Sequence, residues 1–169
     1  MRLEPLTDPA AIEHWFDDPE VRHRLGGRPW IHRALALRDA GIGEEFRGRL
    51  VVRSHGWVAY LGSEPVAYIG GDVYDRWVRY HGEGEPLTDA DPRTAMGLAY
   101  VVDPARWGQG HGRAALAAVM AHPEVADVAI FFCGIDTDNH ASRRCAEAAG
   151  FRLVDPAPDF EDMLFYRRG

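Results

Sequence analysis

Three glycines at alternate positions, Gly108, Gly110 and Gly112, followed by an alanine-rich run to Met120, make the pattern with the clearest chemistry in this chain. Glycine allows a tight turn and leaves the backbone N–H groups unobstructed by a Cβ. The first amides of the helix that follows lack intrahelical acceptors and sit at the positive end of its dipole, so the turn reads as a cradle for a pyrophosphate. Two better-known nucleotide loops do not fit. A G-x-G-x-x-G fingerprint needs glycine at position 113, which is Arg113, and a P-loop needs a lysine, of which the chain has none. The plain alternative is a strand-to-helix turn without a ligand.

The flanking residues bear on that alternative. Val102-Asp103-Pro104 closes an apolar run just before Trp107-Gly108-Gln109-Gly110-His111-Gly112, and a second strand-like stretch, residues 128–135, leads into NHASRRCAEAAG and Phe151. Together these stretches resemble the GNAT superfamily of N-acetyltransferases. The family's cradle is Gln/Arg-x-x-Gly-x-Gly/Ala after a V-x-P strand end. Its second motif, Asn-x-x-Ala/Ser with Gly-Phe eight residues later, falls on Asn139, Ser142, Gly150 and Phe151. Trp107 stands at the Gln/Arg position, a departure shared by members similar to ribosomal-protein N-terminal acetyltransferases. The likeness covers residues 50–155 well and the N-terminal third in outline.

The resemblance implies an α/β (α+β) GNAT fold: a central mixed, mostly antiparallel sheet of six to seven strands, flanked by helices, with a splayed parallel strand pair at the cofactor site. It implies acetyl-coenzyme A (acetyl-CoA) as cofactor and direct attack of an acceptor amine on the acetyl thioester. The amides of Trp107, Gly108, Gln109, Gly110, His111, Gly112 and Arg113 would then take the pyrophosphate. The strand end at Tyr100, Val101 and Val102 would pair with the pantetheine arm, with Asn139 and Ser142, one helical turn apart, facing it. Arg106 and Arg113 either add charge beside the phosphates or are solvated. His111 reads as a surface loop residue rather than a base, and His140 either reaches the thioester or faces water.

Acid–base roles are less apparent. Many relatives carry a glutamate on the cradle strand, where this chain has Gly97-Leu98-Ala99, and a tyrosine seven residues after the asparagine, where it has Ala146. Ser142 or an ordered water is left to protonate the thiolate. For the base the candidates are Asp72 and Asp75, then Glu83, with burial or a neighbouring carboxylate raising the pKa toward working pH. Alternatively, both aspartates end their strand in solvent. Tyr74 and Tyr100 read as core or cleft-wall aromatics.

The elements that must position these groups follow from periodicity and punctuation. Residues 1–5 predict an edge strand, Asp8 caps a helix through Phe16, and Asp18 caps a second through Leu25. A third, opened by Pro29, puts Trp30, Ala34 and Leu37 on one face and stops at Gly41; in the family such helices wall the acceptor cleft. From Leu50 the pattern changes to a hairpin turning at Gly62-Ser63-Glu64, its second strand running to Tyr74 with Gly70-Gly71 marking a bulge or a close backbone approach. The cradle strand is expected over 96–102, its helix over 112–121, and closing strands over 151–154 and 163–167.

With 169 residues, 46% of them hydrophobic, the chain predicts a single domain, 1–169, able to bury a core without metal or disulfide staples. Cys133 and Cys145 lack any zinc spacing and read as reduced, packed thiols. A net charge of −7 argues against nucleic acid and anionic membranes and for a cationic partner. Neither a membrane-spanning run nor a secretory leader is evident, which points to the cytoplasm, as a monomer or homodimer.

The reading is therefore an acetyl-CoA-dependent N-acetyltransferase acting on a small-molecule or peptidyl amine. Three acceptor classes compete: a protein N-terminus, an aminoglycoside-like polycation and a metabolite amine. The carboxylates Asp72, Asp75, Glu83, Glu85, Asp89 and Asp91 favour a cationic acceptor if they face the cleft, and are solvated surface otherwise. A non-catalytic acyl-CoA sensor is the alternative of a different class.

Overall fold

A computed structural model describes residues 1–79 and 90–169; Glu83, Glu85 and Asp89 lie outside the described residues. Strand β1 (Arg2–Pro5) pairs antiparallel with β3 (Arg49–Leu61), whose start also pairs with the two-residue β2 (Glu45–Phe46). β3 and β4 (Glu64–Tyr74) form the expected hairpin, with Leu61 opposite Glu64. β4 then pairs with both β5 (Ala95–Gly97) and β6 (Ala99–Val102). β5 runs parallel to β7 (Ile130–Asp136), β7 is antiparallel to β9 (Met163–Arg168), and β8 (Arg152–Leu153) closes that edge.

The cradle strand is not continuous. It breaks at Leu98, whose N–H donates to the Phe132 carbonyl at 2.8 Å. Beyond that point β6 keeps its pairing with β4 but has none with β7, so the parallel pair splays open. The mixed, mostly antiparallel architecture is as expected. The sheet has nine strands among the described residues rather than six or seven, because β5 and β6 are halves of one run and β2 and β8 are two-residue ladders.

Gly70-Gly71 marks a close approach, not a bulge: the register shifts between β3 and β4 lie elsewhere, at Val51/Arg53 and Ala59/Tyr60. A Cβ on Gly71 would sit 1.8 Å from the Gly97 carbonyl oxygen, and one on Gly70 would sit 2.5 Å from the His55 carbonyl oxygen. No side chain fits between these backbones.

Helix α1 (Pro19–Leu25) is opened by Asp18, whose carboxylate accepts from the Glu20 and Val21 amides, and it ends at Gly26 as the sequence predicts. The helix expected after Asp8 is instead two 3-10 turns, Pro9–Ala11 and Glu13–Asp17, interrupted at Ile12, which leaves helical geometry at φ −126°. Helix α2 (Arg28–Ala36) stops well short of Gly41. The chain there must return to β3, and it is held by the Gly43 N–H on the Val51 carbonyl and by Arg38 on the Leu6 carbonyl. Ile31 is the residue of α2 that is fully buried, whereas Leu37 on the expected apolar face is 59% exposed.

Helices α3 (His111–Met120) and α4 (His140–Ala148) lie on the other face of the sheet, packing Leu116, Val119 and Ala146 against Trp57, Ile69 and Met96. The α1–α2 face buries Trp15, Phe16 and Ile31 against Val58, Tyr68 and Val101. The two sides are clipped together by Arg24 at the end of α1, which bonds Asp136 at 3.0 Å and pairs with Asp138 just before α4.

Candidate active site

The cradle is built by local rules. Asp103 caps a 3-10 turn over Pro104–Arg106, its Oδ1 accepting from the Ala105 amide. Gly108 and Gly110 then adopt φ of 76° and 83°, left-handed values that side-chain-bearing residues avoid, and their missing Cβ atoms face open space. Gly110 is the residue before α3 and no side chain caps that helix, so the first-turn amides of His111, Gly112 and Arg113 face outward without a protein acceptor within the helix. Gly112 serves packing instead. A Cβ there would lie 2.8 Å from the Cys145 Sγ and 3.3 Å from a Val102 methyl, so its absence lets α3 sit close on β6 and α4. Uncapped amides beside unobstructed glycines fit an anionic diphosphate.

Of the cradle's side chains, the Trp107 indole is 47% exposed and donates its Nε1–H to the Val102 carbonyl at 3.0 Å. Gln109 is exposed. Arg106 is engaged by Glu64 and Asp103, whereas Arg113 makes no ion pair among the described residues. His111 departs from the expectation of a surface loop residue. It is the first residue of α3, half-buried, with an Nε2 that has no hydrogen-bond partner among the described residues.

On β6, Val101 faces the α1–α2 core, while Tyr100 and Val102 pack toward α3 and α4. The Leu98 amide points toward β7 and the Asp103 amide donates to the Val66 carbonyl on the β4 side. Strand alternation therefore turns the main-chain groups of Tyr100 and Val102 to the open edge, with the Val102 carbonyl taken by Trp107. Tyr100 crosses to α4, donating its hydroxyl to the Ser142 carbonyl at 3.1 Å; burial pushes its pKa well up, so it stays protonated. Asn139 caps α4 through Oδ1, which accepts the Ser142 amide at 3.1 Å. His140 is exposed.

A cleft of about 220 Å³ opens between α2 and the β3–β4 hairpin, reaching Ala99 where β6 leaves β7. Trp30, Ala34 and Leu37 line one wall; Ser54, Tyr68 and Asp72 line the other. Ser54 and Asp72 are opposite each other across the strands. Tyr68 is almost fully buried, edge-on to Trp30 at 5.8 Å, and burial pushes its hydroxyl up to about 12. Sequence reading missed Tyr68, Ser54 and the cleft arginines, Arg33 and Arg38. The available signal for Tyr68 was Gly56 and Gly70, whose missing side chains make room for its hydroxyl.

Asp72 is thus brought to the cleft, but Asp75 is not. The Asp75 carboxylate accepts the Leu50 amide at 2.8 Å and pairs with Arg76 at 2.7 Å. Burial alone would raise its pKa, but the Arg76 and Leu50 hydrogen bonds outweigh that and lower it, the opposite of what a general base needs. Asp91 is likewise held by Arg93 and Arg167, which drives its pKa down. Among the described carboxylates expected to surround the acceptor, Asp72 is the one that lines the cleft. The described residues contain no group of three or more His, Cys, Asp or Glu able to hold a metal.

Comparison with known proteins decides what this geometry belongs to. Residues 1–152 match the family described as acetyltransferase (GNAT) domain. The chain belongs to the GNAT acetyltransferase family. It is similar to YfmK of Bacillus subtilis (strain 168), described as an uncharacterized N-acetyltransferase, at 30% identity over 96% of this chain and 93% of that one. It is also similar to a mycothiol acetyltransferase of Nocardiopsis dassonvillei, at 36% identity over 51% of this chain and 26% of that protein. Its fold is shared with the aminoglycoside acetyltransferase AAC(6′)-Ib in complex with coenzyme A, with a TM-score of 0.69 at 18% identity, covering 98% and 92% of the two chains. As a GNAT member the chain is an acyltransferase. Among its described residues no helix is long and apolar enough to cross a membrane.

Proposed function

We propose that this GNAT protein transfers the acetyl group of acetyl-CoA to a primary amine bound in the cleft between α2 and the β3–β4 hairpin. The observation that carries the reading is the uncapped start of α3 behind Gly108 and Gly110, a built anion cradle on the side of the sheet where β6 leaves its open edge. The first-turn amides of α3 would hold the diphosphate, and the main-chain groups of Tyr100 and Val102 at the open edge would receive the amide-bearing arm. When bound, acetyl-CoA supplies a thioester whose carbon–sulfur bond breaks as the carbon–nitrogen bond forms, the nitrogen losing a proton and the thiolate gaining one.

Asp72 takes the amine's proton in this reading, which its position lining the cleft near Ala99 and the splay supports. The Ser142 hydroxyl, half-buried in the first turn of α4, is the group on the cofactor side that returns a proton. The Tyr68 hydroxyl remains a donor on the cleft wall. Two unpaired cysteines suit a reducing cytoplasm. Thiol release from acetyl-CoA, measured over a panel of primary amines, tests the reading; release with no member of the panel, from a protein that binds coenzyme A, would overturn it in favour of an acyl-CoA sensor.

A further inference from the structure

The charges lining the cleft do not suit a polycation. Among the described residues they are Asp72 and two arginines, Arg33 and Arg38; His55, which also lines the cleft, has its pKa lowered by burial. Arg38 is anchored through Nη2 to the Leu6 carbonyl at 2.7 Å, a neutral acceptor, and makes no ion pair among the described residues. Arg33 is exposed on α2 and makes no ion pair among the described residues. The buried Tyr68 hydroxyl feels Arg38 and Asp72 in opposite senses, so a cation and an anion bear on the same part of the wall. A second ammonium on the acceptor would meet two guanidinium groups, at a cost that grows as water is excluded.

We infer that the acceptor is zwitterionic: a small α-amino carboxylate whose ammonium group lies at Asp72, beside the splay, and whose carboxylate meets Arg33 and Arg38. Guanidinium is the side chain suited to this, since its planar fork matches carboxylate geometry. The rest of the α2 wall is apolar, with Trp30, Ala34 and Leu37, so the side chain it takes is apolar too. The volume of about 220 Å³ lies below the usual range for drug-sized ligands and suits an amino acid. Acetylation removes the ammonium charge, so the product keeps its hold on the arginines but loses that on Asp72, which favours its departure.

This inference rests on the acetyl-transfer reading, and binding and turnover separate the two. Leucine and phenylalanine, each beside its amide and its decarboxylated amine, are titrated calorimetrically into the protein saturated with coenzyme A, and the same compounds are assayed for thiol release from acetyl-CoA. The carboxylates are expected to bind at least tenfold tighter than their partners. Arg33→Gln is expected to remove most of that preference by raising KM for the carboxylate rather than lowering kcat. Carboxylates that bind no better than amides or decarboxylated amines overturn the inference, as does thiol release fastest with the decarboxylated amines, which leaves the transferase reading standing. Carboxylate-selective binding without thiol release supports an amino-carboxylate site in the cleft and strikes the transferase reading, and with it the acceptor role, instead.

Discussion

The Tyr100 hydroxyl donates to the Ser142 carbonyl at 3.1 Å, joining the open edge of β6 to the first turn of α4 across 42 residues of sequence. The bond braces both motifs of the cofactor side against each other. It is also where Gly112 lets α3 approach, so three elements meet within one layer of side chains.

Tyr100→Phe keeps the ring and deletes the donor, while the Ser142 carbonyl keeps its place in the helical ladder of α4. The expected cost is about 1 kcal/mol of stability, read as a lower urea midpoint with an unchanged slope. The acceptor KM should not move, since the ring lies on the α3–α4 side of the sheet and does not line the cleft.

The cradle is tested at Gly110 by residues that tolerate a left-handed φ. Gly110→Asp places a negative charge in the open space above the turn, and Gly110→Asn places a neutral group of the same shape there. The aspartate should weaken coenzyme-A binding tenfold or more, about 1.4 kcal/mol, and the asparagine clearly less. Valine is a poor probe, because its strain at φ 83° would disturb the turn itself. Gly112→Ala should instead lower stability by about 1–3 kcal/mol, since its Cβ meets the Cys145 sulfur.

The two aspartates of β4 should separate cleanly. Asp72→Asn is expected to cut kcat/KM by about 100-fold or more if it acts as base, with little change in thermal midpoint. Asp75→Asn should leave turnover near normal and lower stability. The folded pKa of Asp75 lies below its ordinary value, so its contribution is complete above about pH 4 and fades as the pH falls through the lowered folded value. Acid unfolding of the two variants, compared with the parent, reads this directly.

Both cysteines should resist alkylation in the folded state. Burial pushes Cys133 up to about 12 and raises Cys145 as well, so little thiolate forms at pH 8. Mass spectrometry after iodoacetamide treatment should find both unmodified until denaturant is added, with Cys145, the less buried of the two, reacting first.

Much of the fold was readable because it is local. Asp18 and Asn139 cap helices a few residues away, Gly108 and Gly110 turn the chain they sit in, and the hairpin is marked by its own turn. The acceptor side is assembled from residues far apart in the chain, Arg33 and Arg38 from one helix and its exit and Ser54 and Asp72 from two strands, so no spacing announces it. Asp72 and Asp75 part by parity: side chains three positions apart on a strand point to opposite faces, and Asp75 lies just past the end of β4. Leu37 misled for another reason. It satisfies the helical period of α2, but the face it marks borders the cleft rather than the core.

The anchoring of α2 has a consequence for how such an enzyme changes over generations. Its one fully buried side chain is Ile31, and the positions that shape the cleft, Arg33, Ala34 and Leu37, contribute nothing comparable to the core. Substitutions there can reshape the cleft at almost no expense in folding. Gly70 and Gly71 on the opposite wall tolerate no such drift, because any added atom collides with backbone. One wall of the cleft is thus free to diversify while the other is held by backbone packed on backbone.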